Sequence, residues 1–183
     1  VTVDQRFEGY RAAIDERGAR FDDSLVCLGD FREQSGYEAA RELISGRNCP
    51  DAIFAENDLL AIGVIHAVRE RGLRVPEDVA VVGFDDIPLA AFPEIDLTTI
   101  AQPKEEMGRR AARLLSDAVD RVEEHGAGAS RAGRRTETTR TAAGRGADRA
   151  PAQVMLEPEL VVRGTSMRNT DESRLRTGTT LPD

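Results

Sequence analysis

The chain has 183 residues, 40% of them hydrophobic and 32% charged, with a formal net charge of −8. That suffices for one sizeable core, and the acidic balance excludes a surface built to grip nucleic-acid phosphates. No apolar run approaches the roughly 18 residues of a membrane helix. The opening VTVDQRFEGYRAAIDERG is charged early and has no secretory apolar stretch, so a soluble cytoplasmic protein with no membrane partner is expected. Having no Trp and only two Tyr argues against an aromatic nucleic-acid platform. Cys27 and Cys49 lack metal-ligand spacing and His66 and His125 are isolated, so neither a metal site nor a cofactor is expected.

In chain order, Thr2 and Gln5 have capping-box spacing and open a helix with Phe7, Tyr10 and Ile14 on one face, which Gly18 is placed to end. Residues 24–28, SLVCL, read as a short buried strand with Cys27 inside. In GDFREQSGYEAARELISG, Ser35 and Glu38 repeat the capping-box spacing, Ala39, Leu43 and Ile44 make a helical face, and Gly46 closes it. Residues 51–55, DAIFA, are a second strand. Asn57 or Asp58 then caps a helix running to Gly72, whose Leu60, Ala61, Val64, Ile65 and Val68 cover much of its circumference, so it is largely buried. His66 reads as partly buried scaffold on that helix. Residues 79–84, VAVVGF, are the strongest strand.

Helices alternate with short, continuously apolar strands, which predicts an α/β fold with a parallel sheet and helices on both faces. After Pro93 the pattern changes. LTTIAQP is a short extended segment, and Pro103 suits the first position of a helix with Glu105 and Glu106 in its first turn. Residues 123–152 hold almost no large apolar side chain and carry an excess of Arg, which predicts a disordered insertion. QVML and ELVVRG read as final strands, and residues 168–183 as a flexible tail. The expected organisation is a subdomain over 1–96, a crossover strand and helix over 97–122, the insertion over 123–152, returning strands over 153–167, and the tail.

In an open parallel sheet, ligands bind beyond the carboxyl ends of the strands. Three strand ends here lead into polar loops: Asp30, Phe31 and Arg32; Glu56, Asn57 and Asp58; Asp85 and Asp86. Carboxylates that accept from vicinal hydroxyls, an amide that donates and accepts, and an aromatic face suit a polyhydroxylated ligand. Arg6 could add a guanidinium fork. Each residue also has a plainer reading: Asn57 or Asp58 as a helix cap, Arg6 as a solvated helix residue, Phe31 as minor core, Asp85 and Asp86 as turn formers before Pro88. Paired Asp at a strand end could also hold Mg²⁺ in an enzyme, but no glycine-rich phosphate loop or nucleophile elbow accompanies them, so no enzyme is expected.

AIFAENDLLAIGVIHAVRERGLRVPEDVAVVGFDDIPLA, LTTIAQPKEEMGRRAARLL and PELVVRGTS, with RFEGYRAAI and GDFREQSGYEAARELI upstream, resemble the effector-binding core of the lactose-repressor (LacI/GalR) family of transcription regulators. The resemblance implies a type I periplasmic-binding-protein-like fold of two α/β subdomains, with a sugar or nucleobase effector in the cleft and operator DNA bound by a separate helix-turn-helix in a homodimer. Carried over motif by motif, the ligand-binding residues would be Arg6, Phe31, Asn57 and Asp85, with Asp58 a weaker candidate and Asp86 holding the turn. The helix-turn-helix and the first half of the core have no counterpart in the sequence. The chain therefore matches mostly one subdomain plus the returning part of the second, and looks truncated. Weak or no effector binding by the chain alone, no specific DNA binding, and exposure of Met107, Leu114 and Leu115 are the expectations that follow. A transport or chemotaxis binding protein of the same fold is the alternative.

Overall fold

A computed structural model describes residues 3–46, 49–131 and 154–167, without the side chains of 121–131. The chain divides into two units, Val1–Gln102 with Pro158–Asp183, and Pro103–Glu157.

The first unit opens with α1 (Val3–Glu16), after which Gly18 takes a left-handed φ of 66° that a side chain would resist. A single 3₁₀ turn follows at Asp23–Leu25, capped by Asp22, whose carboxylate accepts from the Ser24 N–H. The strand expected over 24–28 is therefore not formed. The Asx cap turns the chain at Ser24, and residues 26–30 run on without a ladder partner. Cys27 is exposed there, contrary to its reading as a buried residue.

Helix α2 (Glu33–Ser45) starts two residues before the expected capping box. Ser35 lies inside it, its hydroxyl donating to the Arg32 carbonyl and accepting from the Asp30 N–H. Strand β1 (Ala52–Phe54) and helix α3 (Asp58–Glu70) follow, and the chain turns out of α3 at Gly72 with φ 77°. Strand β2 (Ala80–Val82) pairs with β1 in parallel, Ile53 opposite Val81 and Phe54 opposite Val82. Parallel bridges Val82–Thr98 and Asp85–Ala101 extend the array to β3 (Thr99–Ala101). Beyond β3, β4 (Glu159–Val161) pairs antiparallel, Thr99 opposite Val161.

Alternation along β1 sorts its two faces. Ile53 joins the core of α2, α3 and β2, in which Val64, Val68, Val79, Val81 and Leu97 are buried. Phe54 stacks on Tyr10 of α1 with ring centroids 6.2 Å apart. Helices thus cover both faces, as the fold class required. Helices α2 and α3 pack closely because Gly36 and Gly63 lie at their contact: a Cβ on Gly36 would strike the Leu60 main chain, and one on Gly63 the Glu33 carbonyl. His66 lies at the rim of this contact, against Glu33 and Tyr37 of α2, with a 73% exposed side chain, so it is not the partly buried scaffold residue its helix suggested.

The returning segment is stitched to the end of the sheet by small hydroxyl side chains. The buried Thr165 donates its hydroxyl to the Val81 carbonyl and accepts from the Thr98 N–H. Thr98 in turn meets Arg163 and Ser166. QVML is not a strand over its described part, Val154–Leu156; Met155 is 88% exposed and has nothing to pair on.

The second unit is dominated by α4 (Lys104–Arg131). Its first turns carry ion pairs from Arg109 to Glu105 and Glu106 and from Arg110 to Glu106. Met107, Leu114 and Leu115 are exposed, as anticipated. The helix continues past Glu123, where the insertion was expected to begin; residues 132–152 of that insertion, and the tail 168–183, lie outside the described residues.

Candidate functional site

Parallel pairing puts the carboxyl ends of β1 and β2 on one edge, and hydrogen bonds past the ladder hold them together. The Ala55 N–H donates to the Val82 carbonyl at 2.8 Å, and the Asp58 N–H to the Phe84 carbonyl at 2.9 Å. The Asp85 N–H donates to the Ile100 carbonyl at 2.9 Å, which brings Gln102 to the same edge. Three of the four non-glycine residues with left-handed φ among the described residues, Phe31 (66°), Asp85 (113°) and Asp86 (51°), belong to these loops. Each such conformation costs on the order of 1–3 kcal/mol, and strain of this kind concentrates where side chains are aimed at a ligand.

Arg6 reaches this edge from α1. Its Nη1 donates to the Glu56 carbonyl at 2.7 Å, and its guanidinium lies 4.5 Å above the Phe84 ring. The Arg6 Nε stands 3.0 Å from the Glu56 Oε2, an ion pair with side chains 15% and 23% exposed. Both of these atoms are buried, and neither has a hydrogen bond of acceptable angle. Burial pushes the Glu56 carboxyl above its ordinary pKa, an effect that Arg6 opposes.

Asn57 and Asp58 divide the roles that the sequence left open. Asn57 is the helix cap: its Oδ1 accepts from the Leu60 N–H at 2.8 Å. Its Nδ2 donates to the Phe31 carbonyl at 3.0 Å and so fixes the first loop against the second. Asp58 is fully buried. One carboxylate oxygen accepts from the Thr99 hydroxyl and the other from the Ile87 N–H at 2.8 Å. Burial raises its pKa, the two hydrogen bonds oppose the rise, and Asp85 and Asp86 add to it. With both oxygens engaged inside the protein, Asp58 is a brace between α3, β3 and the turn after β2, and is not turned to a ligand.

The acidic pair likewise splits. Asp86 is held by Arg163 at 2.8 Å, and that arginine also donates to the Leu97 carbonyl. The Asp85 carboxylate accepts from Gln102 and is partly exposed at the edge. Phe31 is 42% exposed, on the loop that Asn57 anchors. The structure thus ties Arg6, Phe31, Asn57 and Asp85 to neighbouring strand ends. Glu56, Phe84 and Gln102 were not singled out as site residues. Glu56 stood in the sequence beside Asn57, but nothing there showed that Arg6 would meet it.

The chain matches the family model described as a periplasmic binding protein-like domain over residues 1–166. It is 45% identical over 115 residues to the HTH-type transcriptional regulator CelR of Thermobifida fusca, covering 63% of this chain and 34% of that protein. It is 46% identical over 110 residues to the ribose operon repressor of Escherichia coli K12, 60% of this chain and 33% of that one. Among solved structures, the transcriptional regulator CelR–cellobiose complex superimposes with a TM-score of 0.68 at 38% identity, over 88% of this chain and 42% of the other. A LacI-family regulator from Sanguibacter keddieii gives 0.70 at 32% identity, over 87% and 52%. The chain belongs to the periplasmic binding protein-like family. It spans about a third of the length of the CelR and ribose-repressor proteins, and about half or less of the solved chains.

Proposed function

We propose that the chain is the effector-sensing portion of a LacI/GalR-type transcription regulator, and that its effector is a neutral, hydroxyl-bearing molecule such as a sugar or nucleoside. One observation carries the ligand chemistry. Arg6 and Glu56 neutralise each other at the strand-end edge as a buried ion pair at 3.0 Å, which leaves Asp85 as the partly exposed carboxylate able to accept from a ligand's hydroxyls. Phe31 offers an exposed ring for the C–H face of such a ligand. The relatives that bear regulator and repressor names favour this reading over a transport protein. Operator DNA would be bound by a helix-turn-helix that this sequence does not include, in a homodimer, in the cytoplasm.

The test is a hybrid in which residues 3–102 replace the aligned stretch of the Thermobifida fusca regulator. Its operator binding should respond to a neutral sugar or nucleoside from a panel. The Asp85→Ala hybrid should bind operator equally well with the response lost. A response that survives this substitution contradicts the assignment.

A further inference from the structure

Glu56 holds Arg6 in two ways. Its carbonyl accepts from the Arg6 Nη1 at 2.7 Å, and its carboxylate Oε2 lies 3.0 Å from the Arg6 Nε. The first contact is made by the main chain and does not depend on which side chain stands at position 56. Only the second carries charge. The position itself is fixed on both sides, because the Ala55 N–H is bonded to the Val82 carbonyl and Asn57 caps α3. The Phe84 ring supports the guanidinium from below, 4.5 Å from its centroid. Arg6 would therefore keep its place at the edge if the Glu56 charge were removed.

A guanidinium set in such a place, with planar donors and little water around it, is suited to hold a phosphate or a carboxylate. Here its charge is already matched. Arg163, which also reaches these loops, is held by Asp86 at 2.8 Å. Arg32, on the Phe31 loop, faces Asp30 at 3.8 Å and is mostly in water, which screens it. Asp58 and Asp85 place further carboxyl groups at the same edge.

We propose that Glu56 is a specificity-determining residue that sets the charge class of the effector: its carboxylate cancels Arg6, so the edge refuses anionic ligands, such as sugar phosphates and sugar acids, and takes their uncharged counterparts. The inference rests on the effector reading above for the kind of ligand, and on the Arg6–Glu56 pair for the selection. An anion that approaches Arg6 also approaches the Glu56 carboxylate, so the attraction of one charge is offset by the repulsion of the other. A neutral hydroxyl meets neither effect. Glu56→Gln keeps the side-chain length, the main-chain bond and an acceptor for the Arg6 Nε, and removes only the charge. It therefore separates charge selection from the mere placing of Arg6.

The experiment uses the whole 183-residue chain, labelled with nitrogen-15, and sulfate as the probe, a dianion throughout the neutral range. Sulfate is titrated to tens of millimolar, with chloride holding the ionic strength constant. The wild type should show no saturable amide shifts at Arg6, Asn57 or Phe84. Glu56→Gln should show them, with an apparent affinity roughly tenfold or more above any in the wild type. Glu56→Ala, which also keeps the main-chain bond, should gain the same binding by a second route. Glu56→Asp, which keeps the charge, should behave as the wild type does. The double variant Arg6→Ala with Glu56→Gln should lose what Glu56→Gln gained. Three results would overturn the proposal: sulfate bound by the wild type as tightly as by Glu56→Gln, no gain in either charge-removing variant, or a gain that survives Arg6→Ala, which would assign the anion to Arg32 or Arg163. The neutral-ligand response of the hybrid regulator tests the effector reading alone and sulfate tests Glu56 alone, so the failure of one is not mistaken for the failure of the other.

Discussion

Asp58 shows how one carboxylate can be misassigned from its neighbours. In sequence it sits between Asn57 and an apolar helix and reads as a helix cap or as a weaker ligand candidate than Asp85. In the fold it has no exposure, and its two oxygens satisfy Thr99 and the Ile87 N–H. Asp58→Ala leaves both donors buried without a partner, which should cost about 2–4 kcal/mol, read as a lowered urea midpoint at unchanged slope. Glu56 gives a prediction in pH. Its folded pKa is raised above the ordinary 4.5, mainly by burial. A carboxyl raised in this way binds its proton more tightly folded than unfolded, so its contribution is full below pH 4.5 and fades as pH rises through the higher folded value. The wild type should therefore lose stability relative to Glu56→Gln between about pH 4.5 and neutrality in paired thermal melts. A difference that is flat, or that grows the other way, would place the carboxylate in a more polar setting. The cap role of Asn57 was readable from spacing. Its bond to Phe31, twenty-six positions away, was not, because nothing local encodes which loop a side-chain amide will meet.

At the scale of elements, the helices and the two central strands were legible because each carries its own signal: an apolar stripe, a cap, or a continuous β-branched run closed by turn residues. Residues 24–28 carry the same apolar signal as β1 and still form no strand. A strand is defined by a partner, and the described residues offer this stretch none. The Val154–Leu156 stretch fails for the same reason. The closeness of α2 to α3 was also hidden. Gly36 and Gly63 read as unremarkable helix glycines, yet each is where the other helix's main chain passes. Gly63→Ala should destabilise the first unit by roughly 1–3 kcal/mol through overpacking, although alanine is the better helix former. Leu115→Lys on the exposed face of α4 should change stability by less than about 0.5 kcal/mol. The same denaturant titration checks both.

At the scale of the molecule, a sheet with a fixed strand direction turns scattered letters into a rim. Arg6 lies fifty positions from Glu56, and Phe31, Asn57 and Asp85 come from three separate loops. Parallel pairing of β1 with β2 and the bridge from Asp85 to Ala101 bring them to one edge. The chain belongs to the periplasmic binding protein-like family, and on the function proposed above the exposed Phe31 ring and the partly exposed Asp85 carboxylate are the groups that meet a hydroxyl-bearing effector at this edge. The described part of the chain supplies one such rim. The decisive measurement is a nitrogen-15 amide shift titration of the isolated chain with neutral sugars and nucleosides, carried to tens of millimolar to reach the weak binding expected of it. The account predicts that one of these ligands produces saturable shifts clustered at Glu56, Phe31, Asn57 and Asp85, and that Arg6→Ala abolishes them. Shifts confined to other surfaces, or a cluster at this edge that persists in Arg6→Ala, would contradict it.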